Sequence, residues 1–478
     1  MSRIAITGGS LDVLIEGDSI AGLTSFDMRD VDEVIDAKGL IVAPGLIDLG
    51  VFAVERAACA AGGITRIALM PDQSPPLDDP GLVQRAALAA KPHLWVHPIA
   101  AATRGLEGKD LAEYALMRKA GARAVATGRR WIADSGVMHR VLAYAGSLGM
   151  TVIAHAEDGG LTAHAVATSG ETATRHGLPA APAFSEAIAI ARDIMLAEDT
   201  GAAIHFRQVT TRAGFERIRR AKARGLCVTC GITPAHLLLS DIAISDFRTF
   251  ARLSPPLRSE DDRQACLEAL SDGTIDVLCS SHDPRGPEAK RLPFADAEPG
   301  MAGAETLLTL GLGLVRDGAI TMPRLFELTA ANPARILGLD AGAIKIGSPA
   351  DLCLFSPDKP WQIKAGAFNS DAGNTPFDGL PVQGKAVRTI KGGRTIQLAR
   401  GDADRLGSLR HATLHPLRRG IAEQATHETR AARRANACAD EIGFSTICKA
   451  ADRQPHEAGP ANFCGAGRRI IIRQAKSR

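Results

Sequence analysis

The chain has 478 residues, of which 45% are hydrophobic, 23% charged and only 4% aromatic. This composition excludes a disordered polymer and accommodates either one large barrel with appendages or two to three smaller domains. The net charge of +3 is uneven: residues 399–478 hold 15 Lys and Arg against 8 Asp and Glu, so residues 1–398 carry a net −4, which gives the main body no basic footprint for nucleic acid.

The opening stretch MSRIAITGGSLDVLIEGDSI alternates as strands do and lacks the basic-then-apolar order of a leader; no apolar run approaches the ~18 residues of a membrane helix. A cytoplasmic protein without membrane contact is expected. Residues 1–46 are rich in short strands and glycine turns. Eight short apolar or β-branched runs follow, at 47–52, 65–70, 94–100, 122–128, 151–157, 203–209, 227–233 and 275–283. Helical spacing separates them, most clearly at 134–148, 185–199 and 259–270, with Ser or Asp near each start as a cap candidate.

Eight near-continuous apolar strands alternating with helices predict a (β/α)8 barrel over 47–339, because strands covered on both faces need not alternate. Residues 340–398 return to short strands and Gly turns, so they are expected to join 1–46 in one small composite β-domain, with the barrel inserted between its halves. Residues 399–478 lose sustained periodicity and read as a basic, poorly ordered tail. The nine cysteines are odd in number and lie mostly inside apolar runs, the usage of buried free thiols, the CxxC of Cys227 and Cys230 reads as strand core, and no glycine pair opens a nucleotide-binding loop.

Several blocks carry a more specific signal: VAPGLIDL (42–49), AAGGITRIALMPDQSPPLDDP (60–80), HAED (155–158), SPPLRSEDDR (254–263), DGTIDVLCSSHDPRGPEAKRLPF (272–294) and NTPFDGLPVQGKAVRTIKGGRTI (374–396). In this order they resemble the dihydroorotase branch of the amidohydrolase superfamily, and the likeness runs to about residue 398. The resemblance implies a barrel with a flanking β-domain and zinc-dependent interconversion of carbamoyl aspartate and dihydroorotate. In such chemistry Zn²⁺, held by His nitrogens and carboxylate oxygens, activates a water and polarises the amide carbonyl while an Asp moves the proton.

Matched residue by residue, most of the implied ligands are missing. The His-x-His pair after PGLIDL is replaced by Gly50 and Phe52. The stretch before AAGGIT is about a dozen residues shorter than the family pattern, so no shift of register restores the pair. The bridging carboxylate or carboxylated Lys of the fourth strand falls on Gly128, the sixth-strand His on Gln208, and the eighth-strand Asp on Ser281. Only His155 survives as a matched ligand. Asp283 is a weak candidate base, since two residues of extended strand would carry its side chain ~6–7 Å along the barrel. Asp72, Ser254, His236 and His282 are expected to be remnants of the substrate pocket, with an acid at Asp72 repelling a dicarboxylate-like substrate.

These absences predict a dihydroorotase-like protein of pyrimidine biosynthesis that binds no cofactor and performs no catalysis. Some members of the family are inactive subunits that associate with aspartate carbamoyltransferase, and the resemblance therefore implies that partner, or a homo-oligomer, and a structural or assembly role. The alternative is an active cyclic amidohydrolase that holds zinc in a rebuilt site. A barrel pocket that binds a pyrimidine-pathway metabolite without chemistry is a third reading.

Overall fold

The computed structural model describes residues 2–398; the tail expected at 399–478 lies outside the described residues. Eight parallel strands follow one another around the sheet in chain order: Leu46–Val51, Ile64–Leu69, Trp95–Ala101, Ala124–Ala126, Val152–Ala154, Ile204–Phe206, Val228–Ile232 and Val277–Leu278. Each falls within or overlaps one of the eight apolar runs. Helices follow the strands and cover the outside, among them Ser135–Ser147, Phe184–Thr200, Arg212–Ala223 and Glu260–Ser271. Asp134 and Ser259 cap two of these, accepting from the Val137 and Asp262 backbone N–H groups. Ser185, by contrast, is buried inside its helix, which begins at Phe184 without a side-chain cap.

The expected barrel is therefore the fold, and its interior is small and apolar. Ile47, Leu49, Ala68, Met70, Ile99, Ala124, Ala126 and Ile153 point inward from the first five strands, and Val277 and Cys279 join them from the eighth. Outward-facing residues such as Val96, Val152, Ile204 and Phe206 pack beneath the helices. Fully burying side chains of this size stabilises the fold by about 1.5–3 kcal/mol each. Ala334 and Ile336, on the short helix Asn332–Ile336, complete the interior apolar cluster.

Seven of the eight strand junctions are parallel hydrogen-bond ladders. The eighth, between the first and last strands, is closed differently. Asp48 is buried, and its carboxylate accepts from the Ser280 N–H at 2.9 Å and from the Ser280 hydroxyl, while the Phe52 N–H donates to the His282 carbonyl at 2.8 Å. Burial pushes the Asp48 carboxyl above its usual range, against the Ser280 bonds.

Both flanks build the small β-rich part. Arg3–Thr7, Val13–Glu16, Ser19–Leu23 and Glu33–Asp36 form one four-stranded sheet. In the other, Ile41–Pro44 from the N-terminal flank pairs antiparallel with Leu352–Gln362, which pairs in turn with Pro381–Lys391 and through it with Arg394–Leu398. A buried Arg66–Asp351 ion pair at 2.6 Å ties this sheet to the barrel.

Candidate functional site at the barrel mouth

The residues that follow the carboxyl ends of the strands converge on the barrel axis, where enzymes of this architecture place their chemistry. His155 follows the fifth strand and is buried. Its backbone N–H is held at 3.0 Å by the Thr127 hydroxyl, so the fourth strand fixes the position of the fifth. The Nε2 of His155 faces a Glu157 carboxylate oxygen at 3.5 Å, and its Nδ1 faces a nitrogen of the Arg207 guanidinium at 3.4 Å.

Arg207 is the residue that sequence reasoning missed. It follows the sixth strand in the inward register of His205, is only 3% exposed, and reaches across the barrel axis. Its other terminal nitrogen lies 3.4 Å from the Ser281 hydroxyl, and its guanidinium carbon lies 5.1 Å from the Phe52 ring centroid. A Cβ added at Gly50, where φ is +98°, would stand 3.4 Å from the Arg207 Cδ. Four of the positions at which the resemblance implies metal ligands, Gly50, Phe52, His155 and Ser281, thus surround one guanidinium.

A fifth, Gly128, is occupied in another way. Its φ is +78°, and an added Cβ would meet the Asp72 carboxylate at 2.8 Å. Asp72 accepts from the Arg129 N–H at 2.8 Å, and its second oxygen is buried without a partner. Asp72 reaches into the space that a side chain at 128 would fill.

Asp283 lies elsewhere than an extended strand would put it. The eighth strand ends at Leu278, and Ser281 adopts a left-handed backbone (φ +49°) that turns the chain. The Asp283 carboxylate pairs with Arg129 at 2.8 Å and with Arg285 at 3.2 Å. Arg129 also stacks 3.6 Å over the Phe52 ring centroid, leaving that ring against two guanidiniums. His282 turns away from the mouth, with Nε2 2.9 Å from a Glu55 oxygen and Nδ1 accepting from the Ala304 N–H at 3.3 Å.

Phe52, Arg129, Gln208, His236, Ser254, Ser281 and Asp283 come together around a cavity with about 20 Å³ of water-accessible space, room for roughly one water. Asp72, His155 and His282 are not part of its lining. His236 engages both its nitrogens, with the Thr233 hydroxyl at 2.8 Å and the Pro255 carbonyl at 3.0 Å. Burial lowers His236 to about 4, and burial with Lys222 and Arg207 lowers His205 to about 3. Gln208 presents a buried Oε1 without a partner.

Beside this cluster lies a saturated ionic set. Arg258 donates to Glu157 at 2.7 Å, to the Thr210 hydroxyl at 2.9 Å and to the Thr168 hydroxyl at 3.2 Å, with Glu186 at 3.6 Å. Glu186 accepts from the N–H and hydroxyl groups of both Thr210 and Thr211. Burial works to raise the Glu157 carboxyl, and the Arg258 charge, aided by His155, overcomes it and holds the group at about 2.

A zinc ion does not fit these residues. Among the described residues no three His, Cys, Asp or Glu side chains gather into a metal-holding group. Both nitrogens of His155 already face partners, and a fixed cation stands where incoming ligands would have to converge.

Comparison with known proteins agrees with the fold. Residues 39–214 match the family model described as dihydro-orotase-like. A dihydroorotase of Citrifermentans bemidjiense is 37% identical over 405 residues, covering 82% of this chain and 96% of the relative. One of Geobacter metallireducens is 38% identical over 401 residues, covering 81% and 95%. Among solved structures, the L-hydantoinase (dihydropyrimidinase) from Arthrobacter aurescens superposes with a TM-score of 0.72 at 24% identity, covering 83% of this chain and 96% of that one.

Proposed function

The chain belongs to the dihydroorotase family, and from that premise we propose that it is a dihydroorotase-like protein of pyrimidine biosynthesis that has given up the hydrolysis and keeps the barrel as an assembly subunit. The observation that carries this reading is the Arg207 guanidinium standing among Gly50, Phe52, His155 and Ser281. Hydrolysis of a cyclic amide needs an activated water and a polarised carbonyl. Here the axis holds a permanent cation with no open coordination position, and the adjoining space admits about one water. The candidate base Asp283 is committed to two arginines, which leaves it poorly disposed to take a proton.

The partner in this reading is aspartate carbamoyltransferase or a second copy of the chain. Metal analysis of the purified protein, together with assays of dihydroorotate hydrolysis and carbamoyl aspartate cyclisation, tests the loss of catalysis. The expected result is no stoichiometric zinc and no turnover. About one equivalent of tightly held zinc together with turnover would establish the alternative, an active cyclic amidohydrolase with a rebuilt site. Co-expression with the carbamoyltransferase of the same organism, followed by size-exclusion chromatography with light scattering, tests the assembly role; a solitary monomer under both conditions would refute it.

A further inference from the structure

We infer that the Arg207 guanidinium is the resident cation of the barrel mouth: it supplies from the sixth strand the positive charge around which His155, Ser281 and Phe52 are arranged, so the site takes no ion from solution. This deepens the non-catalytic reading and rests on it.

Three observations support the inference. Arg207 is buried, yet among the described residues no carboxylate lies within ion-pair distance and its Nε has no partner, and its contacts to Ser281 and His155 are long at 3.4 Å. A guanidinium retains its charge even so. Among the described residues Asp72 accepts only a backbone N–H and carries an unpartnered oxygen, which leaves its charge uncommitted, whereas Asp283 is already shared by Arg129 and Arg285. Burial and the Arg129 charge press Arg207 toward losing its proton, and Asp72 and Asp283 favour keeping it.

The third observation is how the space is made. The Arg207 stem passes beside Gly50, and the Asp72 carboxylate lies against Gly128. Two glycines thus make room for one cation and one anion. Held by shape and field, with no tight carboxylate fork, this cation should be exchangeable for a soluble one.

The test is thermal unfolding of the full chain with Arg207→Ala, Arg207→Met and Arg207→Lys. Arg207→Met keeps most of the stem without the charge, and its Tm is expected to fall by roughly 5 °C. Arg207→Ala deletes the equivalent of N-ethylguanidinium; its Tm is expected to fall further and to recover at least half of the loss in millimolar N-ethylguanidinium, with no recovery in equimolar N-ethylurea. Equal rescue by the neutral urea would show that volume alone matters and would overturn the inference. So would an Arg207→Met protein as stable as the wild type, or a wild type stabilised by micromolar zinc. Should the alanine variant fail to fold, Arg207→Lys decides: a Tm above that of Arg207→Met supports a charge requirement, and a Tm at or below it removes one. Turnover of dihydroorotate by the wild type would sink the non-catalytic reading without altering the rescue pattern, so the two fail separately.

Discussion

Arg258 sits among Glu157, Glu186, Thr168 and Thr210, and each guanidinium nitrogen has an oxygen within 3.2 Å. Arg207, equally buried and linked to it through His155 and Glu157, has two contacts at 3.4 Å and one nitrogen with none. In the first region the charge is neutralised by Glu157 and by Glu186, the latter held by the N–H and hydroxyl groups of Thr210 and Thr211, the kind of arrangement a buried ion needs to be tolerated. In the second, the charge runs beside Gly50 and is balanced at longer range. The difference separates an ion set matched with carboxylates from a charge held by long contacts alone.

The largest effect should come from Arg258→Met, which strands Glu157 and Glu186 without compensation. Breaking a buried set from one side typically costs about 3–5 kcal/mol, measurable by urea denaturation. If this variant loses less stability than Arg207→Met, the contrast between the regions is wrong.

An acid titration of stability separates the two next. His205 and His236 are neutral in the folded protein, lowered to about 3 and about 4. Unfolded, they take up protons near pH 6.5. The unfolded state therefore binds more protons as pH falls below 6.5, and stability declines from there until the folded groups protonate, by about 1.4 kcal/mol per pH unit for each histidine. Glu157, held at about 2, adds its own loss only below its unfolded value near 4.5, where the unfolded carboxyl protonates first. Urea midpoints between pH 7.5 and 5 should thus report on the histidines, and His205→Gln should flatten that slope; an unchanged slope would remove His205 from this account.

The smallest effect is expected from Ser281→Asp. The eighth-strand acid is restored, yet it meets Arg207, so the variant should take up no zinc by elemental analysis and gain up to about 1 kcal/mol from the new pair. Zinc uptake by this single variant would show that Arg207 yields to a metal and would break the comparison.

Most of the fold was legible in the sequence because barrel strands are covered on both faces and stand out as uninterrupted apolar runs. The return of Leu352–Gln362 to Ile41–Pro44 was legible from the matching character of the flanks, though not the pairing register. That Gly50, Phe52 and Ser281 offer neither imidazole nor carboxylate is plain from residue type, and that such groups are implied there comes from the resemblance alone. What stands in their place was not legible. The spacing in IHFRQV carries the signal, because Arg207 shares the inward register of His205, but the eye goes to Gln208, where a ligand was expected. The left-handed turn at Ser281 has no glycine to mark it, so the paths of His282 to Glu55 and of Asp283 to Arg129 needed coordinates.

The carboxylate that closes the barrel joins residues 232 apart in the chain, whereas each of the seven ladders joins neighbours in strand order. Closing so long a loop has an entropic cost that no local contact offsets beforehand. Asp48 and Ser280 should accordingly meet late in folding, after the other strands have paired. The same junction, with one acid and one backbone hydrogen bond in place of a ladder, is the natural place for the native cylinder to part, and hydrogen exchange at the Ser280 amide would report that opening as an event separate from global unfolding.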